Sequence, residues 1–181
     1  MKKTRQHKKL GKTEVFNKFM VQFKPLMIAV LLWIVTLFVL HLPAIKNEAA
    51  LFFIKFTLHS TLVFGKMLSI PMESPGFPYI TVFGYPMKIV MECTAYNFYI
   101  FIIYLSLLSP IKWKQRIITL ILFIGVLFIF NNLRTIIMGF VGKHSPQLLY
   151  YIHDFIWDFM FGFIVFLIWV WRYHVTLGEK D

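Results

Sequence analysis

The sequence predicts an all-α integral membrane protein with about four transmembrane helices, one re-entrant or interfacial helix and a short outer β-hairpin. Three observations carry that class. Of the 181 residues, 59% are hydrophobic and 19% aromatic, outside the mix of a soluble domain. The apolar residues gather in runs close to the roughly 20 needed to cross about 30 Å of hydrocarbon. Eight of the nineteen Lys and Arg precede the first of these runs, in Met1 to Lys24. A net charge of +11 placed that way reads as a topology signal at a lipid surface, not as a nucleic-acid footprint.

The elements follow in order. Pro25 and Pro43 bracket span one, Leu26 to Leu42, where only Thr36 and His41 are polar. A basic stretch followed by an apolar one resembles a signal peptide, but the run is longer than a usual h-region and no small-x-small cleavage site follows, so a retained helix is expected. Leu51 to Phe64 carries Lys55 and His59. A central Lys costs about 2.5 to 3.5 kcal/mol on insertion scales, which favours a re-entrant or interfacial helix here. Pro71, Pro75, Gly76 and Pro78 make a loop, and "YITVFGYPMKIVMEC" then reads as a hairpin with Gly84-Tyr85 as a type II′ turn. Thr94 to Ser109 is span two, stopped by Pro110, and after the basic "KWKQR" loop Ile117 to about Leu133 is span three. Tyr150 to Trp171 is span four and ends in a Trp pair suited to the membrane interface.

Counting charges orients this arrangement. With four spans, the inner segments hold thirteen Lys and Arg and the outer ones six, which sets the N-terminus inside. If Leu51 to Phe64 also crossed, the basic loop and Cys93 would exchange sides and contradict the bias. Four crossings therefore put Cys93 at the start of span two, Arg134 at the end of span three and His153 in the first turns of span four, all at the outer face.

Cys93 is the only cysteine, so a disulfide within the chain and a multi-cysteine metal site are both excluded. A helix N-terminus, a cation and an imidazole each favour the thiolate, the form that attacks a carbonyl. His153 is the candidate to take and return the proton, and Arg134 to stabilise an oxyanion or the thiolate. Asp154 and Asp158, four apart on one helical face, are candidates to orient either partner. Asn131 and Asn132 precede Arg134, with capping or a substrate contact as their roles. His41, His59 and His144 also fall on or near the outer side, so position alone does not fix the base. Two bland readings stand beside this one: Cys93 as a small packing residue, and Arg134 as a snorkelling cation.

The set "ECTAYNF", "NNLR" and "HDF" resembles the exosortase and archaeosortase family, over about Cys93 to Asp158. The resemblance implies a cysteine transpeptidase or protease with Cys93 as nucleophile, Arg134 as its arginine and His153 as the third member. The family often has a small residue and then Gly after the cysteine, where this chain reads Cys93-Thr94-Ala95. The resemblance implies cleavage, through a thioester, of a C-terminal sorting signal on a membrane-anchored partner. No cofactor and no metal are expected. The division expected is a basic cytoplasmic tail (1–24), a polytopic catalytic domain in the cell membrane (25–172) and a cytoplasmic C-terminal tail (173–181). Two other classes compete. One is a non-enzymatic membrane scaffold. The other is a metal-dependent intramembrane hydrolase using His41, His59, His144, His153 and the Asp pair, for which no HExxH-type spacing exists.

Overall fold

The structure is a computed structural model that describes residues 12–109 and 111–178. Six α-helices and one small sheet are described: α1 (Lys12–Leu40), α2 (Pro43–Met67), β1 (Met72–Gly76), β2 (Tyr79–Val82), β3 (Tyr85–Lys88), α3 (Tyr96–Leu108), α4 (Trp113–His144), α5 (Pro146–Tyr151) and α6 (Trp157–Gly178). A 3₁₀ turn, Met91–Thr94, precedes α3, and a π-helical turn, Ile152–Ile156, joins α5 to α6.

By length and composition α1, α2 and α4 can cross a membrane, whereas α3 and the apolar part of α6, Phe159–Trp171, are shorter. This is a multi-pass membrane protein. At 1.5 Å per residue the 13 residues of α3 reach only about 20 Å.

Four boundaries differ from the sequence reading, each for a physical reason. Pro25 lies inside α1 instead of starting it, while Pro43 opens α2 at a position where its missing N–H costs nothing. The segment read as Leu51 to Phe64 is part of a continuous helix from Pro43 to Met67. Span three does not stop near Leu133; α4 continues through Arg134 to His144, 32 residues in all. Span two begins at Tyr96, so Cys93 sits in the 3₁₀ turn ahead of it.

The core lies where α1, α3, α4 and α6 meet, around Ala29, Ile102, Leu105, Phe123, Leu127, Phe161 and Val165. Polar bonds tie the same helices: Trp33 Nε1 donates to the Asn97 carbonyl at 2.9 Å, and the Thr36 and Tyr104 hydroxyls bond at 2.8 Å. Helix α2 contributes Thr57, Thr61 and Gly65 on one buried face. Thr61 Oγ1 donates to Asn132 Oδ1 at 2.9 Å, with Ser60 Oγ at 3.3 Å from the same oxygen, while Asn132 Nδ2 donates to the Phe128 carbonyl at 2.7 Å. These bonds satisfy the Asn132 amide, which would be costly to leave unpaired in an apolar medium.

The sheet is antiparallel in the order β1-β2-β3, a three-stranded unit where a two-stranded hairpin was expected. Val82 pairs with Tyr85, so the turn is Phe83-Gly84, one residue earlier than Gly84-Tyr85. Both turn residues have positive φ, 53° and 83°, which makes it type I′. Ile80, Val82 and Ile89 pack with Leu58 of α2 in a second small core. On α4 the hairpin docks against glycines: a Cβ at Gly139 would run into Val82, and one at Gly142 into the Tyr85 ring. The extension of α4 past Arg134 is therefore the sheet's platform.

Candidate functional site

Three elements converge beside β3. The 3₁₀ turn presents Cys93, its N–H donating to the Val90 carbonyl at 2.9 Å. Helix α4 presents Arg134, 4% exposed although it is a guanidinium in an apolar helix. A cation that deep must be hydrogen-bonded to persist. The π turn presents His153. Such turns insert one residue into a helical turn and re-aim its side chains, and they recur at functional sites.

His153 Nε2 stands 3.5 Å from Cys93 Sγ and 3.3 Å from Arg134 Nη2, while Arg134 Nη1 donates to the Glu92 carbonyl at 3.4 Å. A guanidinium only donates, so Nε2 must offer its lone pair in this state and the ring proton sits on Nδ1. That lone pair is also the acceptor a thiol proton needs. Burial pushes the Cys93 thiol up, but the His153 hydrogen bond, a backbone hydrogen bond from Val90 and the charges of Arg134 and His153 outweigh it, leaving the thiol below its ordinary value.

The three groups open onto a cavity of about 300 Å³ walled by β3, by Thr135 and Met138 of α4, and by Leu149 of α5. The pocket is mostly apolar with a few convergent polar groups, the usual make-up of a ligand site.

Of the residues singled out in sequence, Cys93, Arg134 and His153 meet in space. Asn131 is buried one turn before Arg134, does not line the cavity, and its Oδ1 has no partner among the described residues. Its neighbour Asn132 is the amide that bridges to α2. The side chains of Asp154 and Asp158 lie outside the described residues. The other histidines are apart: His41 bonds the Leu37 carbonyl near the end of α1, His59 is exposed on α2, and His144 packs on Phe140 at the end of α4. No three His, Cys, Asp or Glu side chains gather in a metal-binding group among the described residues. The contributions of the Glu92 carbonyl, Thr135, Met138, Leu149 and β3 went unread in the sequence, because apolar lining and backbone groups carry no motif.

Against known proteins, residues 19–170 match the family model described as transmembrane exosortase. No curated protein and no solved structure matches the chain. With the match running from α1 into α6, through the turn that holds Cys93 and the helices that hold Arg134 and His153, the chain belongs to the transmembrane exosortase family.

Proposed function

We propose that the protein is a cysteine transpeptidase or protease that cuts a C-terminal sorting signal from membrane-anchored proteins at the outer face of the cell membrane. The observation that carries this reading is the 3.5 Å approach of Cys93 Sγ to His153 Nε2 beside a buried Arg134. His153 takes the thiol proton as Sγ forms its bond to the scissile carbonyl carbon. Once protonated, Nε2 no longer accepts from Arg134 Nη2, and that donor turns to the developing oxyanion. The tetrahedral adduct then collapses, the C–N bond breaks, and His153 returns its proton to the leaving amine, with a thioester left on Cys93. An amine or water attacks the thioester, gives its proton to His153, and the thiolate departs.

Topology supports the same reading. Positive charge is concentrated ahead of the first span, which favours an inner N-terminus. The contacts of helix α2 fit one that lies across the outer end: it follows the end of α1, where His41 meets the Tyr96 ring, Phe53 packs on that ring at 5.6 Å, and Gly65 abuts Met72 of β1. A helix lying across the outer end leaves α1, α3, α4 and α6 as the four crossings. The membrane domain then runs over 25–172 between two cytoplasmic tails. A substrate held by its own helix would present its cleavage motif at this depth.

The test is co-expression with a candidate membrane-anchored substrate, reading its size shift. Processing should vanish in Cys93→Ala and fall by about 10²-fold or more in His153→Ala, with each variant still in the membrane. Processing that survives Cys93→Ala refutes the reading.

A further inference from the structure

Among the described residues, strand β3 is the last strand of the sheet and is paired on one side only, to β2. Its hydrogen-bond parity is fixed by the hairpin. Val82 and Tyr85 close a two-residue turn, Ile80 pairs with Met87, and the Ile89 N–H donates to the Pro78 carbonyl at 3.0 Å. In an antiparallel ladder these alternate residues, 85, 87 and 89, point their backbone groups at β2. Pro86, Lys88 and Val90 point theirs the other way. Proline is tolerated in a strand where its missing N–H faces an open edge, and Pro86 occupies such a position.

That open edge faces the reactive cysteine. The Val90 carbonyl accepts the Cys93 N–H, a Val90 backbone hydrogen bond helps hold the thiol down, and Pro86, Lys88 and Val90 all line the cavity that holds Cys93, Arg134 and His153. What remains on the edge is the Pro86 carbonyl together with the Lys88 N–H and carbonyl. At about 3.3 Å per residue, Lys88 lies about 6.6 Å along the strand from Val90. The geometry points to the free edge of β3 as the docking rail for substrate: an extended peptide segment adds as a fourth strand, pairs its backbone with Lys88, and sets the peptide bond about two residues away against Cys93 Sγ. This rests on the reading of Cys93 as nucleophile. It identifies the recognised feature as extended backbone next to the cut, with side-chain preference left to the walls formed by Met138 and Leu149.

The experiment uses the full-length protein in lipid nanodiscs, where Cys93 is the sole thiol. The probes are pools of randomised tetrapeptidyl vinyl sulfones, whose vinyl carbon forms a thioether with Sγ while the neighbouring carbon takes a proton from water. Each pool carries one N-methylated amide at a defined position, and rates are normalised to iodoacetamide, which needs no strand. N-methylation should slow Cys93 modification about tenfold at alternate amides only. Lys88→Pro, which removes an outward N–H and no bond to β2, should slow the unmethylated pool more than Lys88→Ala does. A response that is uniform along the peptide in the unaltered protein overturns the edge while Cys93 stands as nucleophile. Processing that persists in Cys93→Ala overturns the nucleophile, and the edge with it.

Discussion

His153→Ala is the sharpest perturbation of the site, because Cys93 is the only thiol and its alkylation therefore reports on one atom. The substitution removes the Sγ···Nε2 contact of 3.5 Å and with it one partner of the thiolate. Hydrogen bonds to charged groups contribute about 1.5 to 3 kcal/mol, or about a 10- to 150-fold smaller thiolate population at a pH below the titration of either form. The sign follows from the balance at Cys93. Burial raises the thiol, and His153, Val90 and Arg134 together bring it down, so losing His153 moves the titration to higher pH. A more basic thiolate is also a better nucleophile, with a Brønsted slope of about 0.4 to 0.5, and this recovers nearly half of the loss on a logarithmic scale. Iodoacetamide modification at neutral pH should therefore slow by about 3- to 20-fold. The difference should close as pH rises and reverse once both thiols are ionised. A profile that stays put, or moves to lower pH, would refute the idea that His153 favours the thiolate.

The remaining expectations concern the parts that hold the site. Gly142→Ala places a methyl in the Tyr85 ring, so the hairpin must shift on α4; overpacking of this kind costs about 1 to 3 kcal/mol and should lower the thermal midpoint in detergent and displace β3 from Cys93. Thr61→Val keeps the shape of the α2 to α4 contact and deletes the 2.9 Å bond to Asn132, leaving Ser60 as the weaker donor at 3.3 Å. Interhelical bonds in membranes average about 0.6 kcal/mol with a maximum near 1.7, so the variant should lose no more than that in a denaturation midpoint analysis.

The helices were legible because apolar length is a strong signal, and the failures have local causes. Arg134 read as a helix end because a buried guanidinium is rare in an apolar run; the donors that satisfy it turn toward Glu92 and His153, on other elements that no window along the chain includes. The hairpin was expected from its β-branched and aromatic residues, but Gly84 drew the turn onto itself. The residue that decides the type is Phe83, which takes φ 53° with nothing in its side chain to announce it. β1 was hidden by Pro75 and Gly76, and its pairing with β2 is irregular between Glu73 and Gly76. The π turn at Ile152–Ile156 has no compositional signature, yet it carries His153. Within "NNLR" the sequence drew attention to Asn131, while the structure ties Asn132 to α2. Two adjacent residues on a helix face different neighbours, and only the packing says which.

Ala95 shows how the backbone serves the same geometry. It has φ 53° and ψ 21°, a left-handed conformation that costs a residue with a Cβ about 1 to 2 kcal/mol. The kink at Ala95 separates the 3₁₀ turn from α3, which leaves the Cys93 N–H bonded to Val90 on the open side of β3 instead of entering the α3 ladder. Were the α-helix to begin at Cys93, the thiol would turn with the helix and leave the strand edge. The methyl of Ala95 is 2% exposed in the core with Ile102 and Leu105, so burial offsets part of the conformational cost. A glycine there relieves the strain but forfeits that contact and adds freedom to the unfolded chain. The two residues are thus near-equivalent solutions to one requirement: a reversal of handedness two residues after the cysteine, which keeps Sγ facing His153, Arg134 and the cavity.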